Sequence, residues 1–335
     1  MRPILLLAAL GLFAGCAGGG TRMDQVDALM RAYAGDGPGA SLLVSRDGEP
    51  VVRRAWGRAD IEAGTAATPA TNYRLASVSK QFTAAAVLLL LQDGRLALDD
   101  AVGRWLPTLP PASASVTLRQ LLTHTSGIVD YEDLMGEDWP GQILDAGVLA
   151  LLEREDRTYF PPGSAYRYSN SAYALLSLVV ERASGMAYPA FLRERIFLPL
   201  GMRGTLAFVQ GGPAVAQRAF GYSEADGGWR RTDQSTTSAV LGDGGIYSSI
   251  DDLAKWDAAL RDDRLLSDAS RQLAFTPHVK VTGEPYEAGY GFGWRITGDT
   301  LWHSGETIGF RNVIVRWPAR RLTVIVLTNR DAPEP

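Results

Sequence analysis

The most regular hydrophobic pattern in the chain is an unbroken apolar run from Phe82 to Leu91, ended by Asp93-Gly94, a common helix stop. It has no polar stripe, so it predicts a helix buried on all sides. From Ser77 to Leu91 such a helix is roughly 23 Å long, too short to cross a membrane. Upstream, Val26, Leu29, Met30 and Tyr33 share one face of a helix over about 23–33, with Thr21 as its cap. Ala40 to Ser45 and Pro50 to Trp56 predict two strands joined by a hairpin at Asp47-Gly48. Downstream the pattern turns helical: Leu118 to Thr123 after a Thr117 cap, Gln142 to Glu153, Tyr173 to Ala183 stopped by Gly185, and Tyr188 to Phe197. After about Thr205 strands return, interrupted by a Ser249-capped helix over 251–260. Tyr290 to Ile296, Asn312 to Trp317 and Leu322 to Leu327 are rich in β-branched and aromatic residues, and short turns between strands make them antiparallel neighbours.

Strands at both ends with helices between predict an α+β fold. N- and C-terminal segments join in one antiparallel sheet flanked by helices, and a mainly helical lobe packs against it. The sheet lobe takes 21–73 and 205–335, the helical lobe 74–204, together a single domain. Ser77 lies where the chain leaves the sheet, and the cleft between lobes is the expected binding site.

Composition removes several function classes. The net charge of −4 over 335 residues leaves no basic stripe for nucleic acid. One Cys and three scattered His give no metal-ligand spacing. Gly242-Asp243-Gly244-Gly245 lacks the strand-then-helix context of a phosphate loop, so no nucleotide cofactor is implied, and no other cofactor or obligate protein partner is indicated. Residues 1–20 follow a different logic. Arg2, an apolar core from Ile4 to Phe13, then Ala14-Gly15-Cys16 make an export signal. Phe13-Ala14-Gly15-Cys16 resembles a bacterial lipobox, with Phe13 where Leu is usual. Cys16 is the sole cysteine, which excludes an intramolecular disulfide and favours lipidation over a soluble export signal. The expectation is an exported protein on the periplasmic side, held to a membrane through Cys16 and a Gly18-Gly19-Gly20 tether.

Candidate chemistry gathers at three places. Ser77 and Lys80, three apart at a helix start, share a face, and a helix N-terminus favours developing negative charge. The only lysines are Lys80, Lys255 and Lys280; elsewhere Arg supplies positive charge. Arginine cannot release its proton, so a lysine retained here suits a base, though a surface lysine is the plainer alternative. Tyr168-Ser169-Asn170 stands just before a helix. Tyr168 near an ammonium can handle a proton and Asn170 can hold Lys80 or a substrate amide, against the alternative of a core tyrosine with a capping Asn. His303-Ser304-Gly305 follows Leu301-Trp302 on a strand; its glycine would let a ligand's backbone approach, against the alternative of an edge strand with a turn. His124 reads as a hydrogen-bonded structural residue, and His278 has no partner motif.

Ser77-Val78-Ser79-Lys80, Tyr168-Ser169-Asn170 and His303-Ser304-Gly305 resemble, in order and approximate spacing, the three motifs of class C β-lactamase-like serine hydrolases. That family includes penicillin-binding-protein-like D,D-peptidases, D-aminopeptidases and esterases. The likeness runs from about Thr21 to Asn329 and takes in Leu121 to Gly127, Gly244 to Ser248 and Tyr290 to Trp294. It implies Ser77 as the nucleophile of an acyl-enzyme, and Lys80 and Tyr168 sharing general-base and proton-return duty. It implies the backbone N–H groups of Ser77 and Glu306 as oxyanion hole. Asn170, His303, Ser304 and Gly305 would line the substrate side. True β-lactamases usually carry Lys where His303 stands, so β-lactam hydrolysis is expected to be weak or absent. The expected substrates are small esters, D-amino-acid peptides of the cell wall or, weakly, β-lactams, cleaved by an esterase or a D-amino-acid peptidase of the carboxypeptidase kind. A penicillin sensor that acylates without turnover, a true class C-like β-lactamase and a silent structural lipoprotein are the alternatives. Family members usually add a C-terminal helix over the sheet; the tail Asp331 to Pro335 cannot form one, so one sheet face is expected to be less covered.

Overall fold

The computed structural model describes residues 22–136 and 138–332. The export signal, the Thr21 cap, Cys16 and the last three residues lie outside these. Fifteen strands are described: β1 (Ala40–Arg46), β2 (Glu49–Trp56), β3 (Arg58–Asp60), β4 (Thr65–Ala66), β5 (Tyr73–Arg74), β6 (Leu206–Ala207), β7 (Tyr222–Ala225), β8 (Gly228–Arg231), β9 (Ile246–Ser248), β10 (Val279–Lys280), β11 (Gly289–Tyr290), β12 (Arg295–Thr297), β13 (Thr300–Thr307), β14 (Phe310–Trp317) and β15 (Leu322–Thr328). The α-helices are α1 (Arg22–Leu29), α2 (Lys80–Gln92), α3 (Pro111–Ala114), α4 (Leu118–Leu122), α5 (Asp145–Leu152), α6 (Asn170–Ser184), α7 (Tyr188–Leu192), α8 (Ile250–Ala259) and α9 (Asp268–Phe275).

The expected α+β architecture is present. One eight-stranded antiparallel sheet runs β10-β11-β12-β13-β14-β15-β1-β2, so the first strands of the chain pair with the last. The β1–β2 hairpin closes at Arg46↔Glu49 over Asp47 (φ 55°) and Gly48 (φ 90°), the two left-handed positions that a tight two-residue turn requires. Strand alternation splits the sheet's residues between two faces. Leu43, Ile314, Ile325 and Leu327 face inward to the helices, in one core with α2 and α6. Leu42, Val44, Val313, Val324 and Val326 face outward and cluster with Val26, Met30 and Tyr33 from α1 and the turn after it. The outer-face residues are buried, so that face is not the bare one expected from the short C-terminal tail.

The apolar run is helix α2, and Lys80 to Leu90 is buried throughout. Each fully buried Val, Leu or Phe there contributes about 1.5–3 kcal/mol. Polar caps fall where the sequence placed them. Thr117 and Gln120 form a reciprocal capping box on α4, and Ser249 accepts the Asp252 N–H on α8. The strand expected over 290–296 is instead broken into β11 and β12. Gly293 turns at φ 75° against the start of α2, where a Cβ would lie 2.8 Å from the Lys80 carbonyl oxygen. Nor is the segment carrying His303 an edge: β13 lies inside the sheet, between β12 and β14. No helix among the described residues is long and apolar enough to cross a membrane.

Candidate active site

Ser77 is the only residue from Thr71 to Leu90 that is not buried. Local backbone explains its exposure. Strand β5 pairs with β9, the Leu75 N–H donates to the Ile246 carbonyl (2.8 Å), and Ala76 then takes φ 50°. That left-handed residue turns the chain into a 3₁₀ turn, Ala76–Ser79, which feeds α2. Strand β13 presses on this turn. A Cβ on Gly305 would lie 2.1 Å from the Leu75 oxygen and 3.1 Å from the Val78 nitrogen. The close approach that Gly305 permits is therefore made by the serine turn's own backbone, not by a ligand.

Lys80 is fully buried, and its Nζ donates to Ser77 Oγ (3.0 Å), Asn170 Oδ1 (2.8 Å) and the Asp243 main-chain carbonyl (3.0 Å). The Asn170 amide is oriented from behind: its Nδ2 donates to Glu132 Oε1 (3.1 Å), which fixes the oxygen toward the lysine. The Asn170 N–H, at the start of α6, donates to Asp130 Oδ2 (2.7 Å), and Ser169 caps the helix. The two carbonyl oxygens on Lys80 consume two N–H groups. In the ammonium form the third donates to Ser77; in the amine form the lone pair faces the Ser77 hydroxyl. Both states are satisfied, which a group that takes and returns a proton requires.

Tyr168 joins the pair through its ring, with Lys80 Nζ 4.9 Å from the ring centroid. Its hydroxyl is buried and has no hydrogen-bond partner among the described residues. His124 holds the ring in place: the ring centroids are 4.3 Å apart, and His124 Nδ1 accepts the Ser169 N–H (3.1 Å). Burial, then the Lys80 charge, hold the His124 imidazole well below its ordinary range, so it is neutral.

His303 is 1 % exposed. Its Nδ1–H donates to the Ser304 carbonyl (2.6 Å), so Nε2 accepts from the Tyr290 hydroxyl (3.0 Å). Burial and the Arg295 charge push its imidazole well below the ordinary range. With both nitrogens engaged, His303 supports the wall from behind and does not face the cleft. Ser304 lies across from Val313, on the outward face of the sheet. From this motif region, Glu306 and Thr307 reach the cleft of about 60 Å³ at Ser77, opposite Asn170, Glu132 and Asp243.

Sequence reasoning missed Glu132, Asp130, Asp243, Tyr131 and Arg295. Tyr131 donates to Asp243 Oδ2 (3.1 Å). Arg295 lies over the Tyr168 ring at 5.5 Å and pairs with Glu284 at 3.3 Å. None belongs to a motif with internal spacing; only Gly244-Gly245 next to Asp243 gave a local signal. Among the described residues no group of three or more His, Cys, Asp or Glu is placed to hold a metal ion. A larger hollow of about 770 Å³ lies elsewhere, near α8 and α9, and the arginines lining it, Arg261, Arg264, Arg271, Arg316 and Arg321, are each paired with an aspartate.

A cleft serine touching a buried lysine one helical turn on, between a sheet and a helical lobe, defines a serine hydrolase that works by acyl transfer. The chain belongs to the beta-lactamase family, whose model matches residues 26–335. It is 32% identical over 310 residues to penicillin-binding protein 4* of Bacillus subtilis, an alignment covering 87% of this chain and 68% of that one. It is 33% identical over 320 residues to a D-aminopeptidase of Cereibacter sphaeroides, covering 92% of this chain and 59% of the relative. Among solved structures, the D-amino acid amidase of Ochrobactrum anthropi SV3 superposes with a TM-score of 0.79 at 26% identity, covering 99% of this chain and 92% of that one.

Proposed function

We propose that this chain hydrolyses the amide or peptide bond of a substrate carrying a free amine on a D-residue, through an acyl-enzyme on Ser77. The observation that carries the reading is the 3.0 Å contact between Lys80 Nζ and Ser77 Oγ inside the cleft. Ser77 attacks the carbonyl and Lys80 takes its proton. The N–H groups of Ser77 and Glu306 hold the oxyanion, and loss of one such donor costs about 3–4 kcal/mol. The Tyr168 hydroxyl gives its proton to the departing amine and regains one from the neighbouring Lys80 ammonium; water then attacks the acyl-enzyme carbonyl, its proton passing by the same pair back to Ser77 Oγ as the acid leaves. Asn170 keeps the Lys80 amine aimed at Ser77.

The substrate class rests on charge. Glu132 opens on the cleft with Asp130 behind it, whereas Glu306 is faced by Arg311 at 3.8 Å. An ammonium group is the natural partner for Glu132, in keeping with the likeness to D-aminopeptidases and D-amino acid amidases. His303, neutral and buried, offers no fixed cation to a lactam carboxylate, so β-lactam turnover is weak or absent. One observation favours a second reading, a carboxypeptidase or penicillin sensor: Arg295 is a cation beside Tyr168.

The purified protein and Ser77→Ala are incubated with D-alanine p-nitroanilide, its N-acetyl form, a p-nitrophenyl ester, an acyl-D-Ala-D-Ala peptide and a penicillin, and intact mass is followed. Turnover of the free-amine anilide, at least tenfold over the acetylated form, supports the proposal. Preference for acyl-D-Ala-D-Ala, or a persistent penicillin adduct, supports the second reading. Absence of any Ser77-dependent adduct or product overturns both. Export and lipidation at Cys16 are part of the proposal, resting on the apolar segment 4–13 and the single cysteine. Labelling of cells with an alkynyl fatty acid tests them, with loss of label expected for Cys16→Ala.

A further inference from the structure

The segment Gly242-Asp243-Gly244 is fixed closely against the catalytic helix, and sequence patterning gave it no role. Asp145 accepts the Leu241 and Gly242 N–H groups (2.8 and 3.0 Å), and Thr83 of α2 donates to the Gly242 carbonyl (2.6 Å). Gly242 has no room for a side chain: a Cβ would lie 2.2 Å from the Tyr173 carbonyl oxygen. Between these anchors the Asp243 carbonyl accepts from Lys80 Nζ, and its carboxyl accepts from the buried Tyr131 hydroxyl.

We propose that Asp243 is a positioning residue for the lysine base: its hydrogen bond from Tyr131 pins the peptide whose carbonyl fixes one N–H of the Lys80 amine. The inference rests on the acyl-transfer reading given above. With Asn170 Oδ1 fixing a second N–H, the amine is left one direction, toward Ser77. The carboxyl has a separate part to play. The groups facing it are Lys80 from α2, Tyr131 and Glu132 from the turn before α5, Asp145 from α5, Tyr188 from α7 and Arg74 from β5. Burial raises the Asp243 carboxyl to about 8, against the opposing pull of Lys80. At neutral pH it therefore keeps its proton. A carboxylate in this place would stabilise the Lys80 ammonium and withdraw the base; an uncharged carboxyl keeps the same shape and hydrogen bond without that penalty. Activity should then fall as pH rises through the Asp243 ionisation, a limb that belongs to this residue.

The test follows second-order labelling of Ser77 by a fluorophosphonate between pH 6 and 10. Wild type, Asp243→Asn, Asp243→Ala and Tyr131→Phe are compared, with Ser77→Ala as blank and thermal melts as the folding control. At pH 7, Asp243→Ala and Tyr131→Phe should label at least tenfold slower than wild type, and Asp243→Asn should recover most of that loss. The decline above about pH 8 should be present in wild type and absent from Asp243→Asn. On an amide substrate, Tyr131→Phe should lower kcat with KM within twofold. Asp243→Asn labelling as slowly as Asp243→Ala would overturn the proposal, because a carboxylate would then be required. Full-rate labelling of Asp243→Ala, or a decline that persists in Asp243→Asn, would overturn it equally. Should the alanine variant fail to fold, the Asn and Phe variants still decide. Failure of wild type to label at Ser77 removes the acyl-transfer reading itself, and this inference with it.

Discussion

At the scale of single residues, the chemistry depends on which groups can change protonation state. Lys80→Arg keeps a positive charge but cannot release a proton, and its planar fork does not match three acceptors set around one nitrogen. It should cut Ser77 acylation at least 10³-fold and, because Lys80 is fully buried, also lower the melting temperature by the equivalent of about 1–3 kcal/mol; a labelling assay that finds the folded variant active would show that proton transfer by this amine is dispensable. Glu132 orients Asn170 and, in the proposed reaction, also faces the substrate amine. Burial and the neighbouring Asp130 raise its carboxyl, though its exposure to water screens that shift. Glu132→Gln still accepts from Asn170 Nδ2, so kcat on an N-acetylated anilide should hold. KM for the free-amine anilide should rise at least tenfold. In wild type, kcat/KM for the free amine should climb with pH through the raised Glu132 ionisation, since only the carboxylate attracts an ammonium, and this limb should vanish in the Gln variant. Ser77 and Lys80 were legible because a scarce residue type stood three positions from a serine at a helix start. Glu132 and Asp243 were not, because each reaches the site from its own loop and neither sits at a diagnostic spacing from Ser77.

At the scale of elements, the site depends on backbones that touch. Strand β13 meets the Ser77 turn at Gly305, and the 290–296 segment meets α2 at Gly293. Gly305→Ala puts a methyl group 2.1 Å from the Leu75 oxygen, so strand and turn must separate. The expected cost is about 1–3 kcal/mol of stability, as in other overpacked sites. A far larger loss, 10²-fold or more in acylation rate, should follow because the N–H groups of Ser77 and Glu306 move apart. Urea unfolding alongside fluorophosphonate labelling would check it, and a Gly305→Ala enzyme of normal rate would mean that the contact does not shape the site. Caps and the β1–β2 hairpin were readable in advance, since Thr117, Ser249 and Asp47-Gly48 act on neighbours within three residues. The break between β11 and β12 was not. Its cause is α2, two hundred residues away, whose first turn occupies the space a continuous strand would need.

At the scale of the whole molecule, burial sets how stability varies with pH. Asp257 lies in α8 between Arg316 of β14 and Arg261, each at 2.6 Å, and ties that helix to the sheet. Burial alone would raise its carboxyl, but Arg316, Arg261 and a hydrogen bond from Thr323 hold it below the usual range. A carboxyl lowered by folding adds stability above the unfolded value of about 3.9, and that stability is lost as pH falls through the folded one. Asp145 and Asp243 act in the opposite sense: both are raised by burial, so the native state keeps protons that the unfolded chain releases. Their contribution falls as pH rises from about 4. Melting temperature should therefore peak in mildly acidic solution. Asp257→Asn, which leaves Arg316 buried without its counter-charge, should cost ~3–5 kcal/mol near neutral pH and flatten the acid limb. A melting temperature that rises steadily up to pH 9 would contradict this balance.

The chain's own pattern determined the strands at both ends, the helices between, the buried helix behind Ser77 and the serine–lysine pair, because these depend on periodicity and on neighbours a few residues apart. Tertiary structure alone decided that His303 turns inward to Tyr290, that Gly305 yields to the serine turn, and that Asn170 and Asp243 converge on one amine. These are contacts between segments far apart in sequence, and only the packing of sheet against helices determines which of them meet.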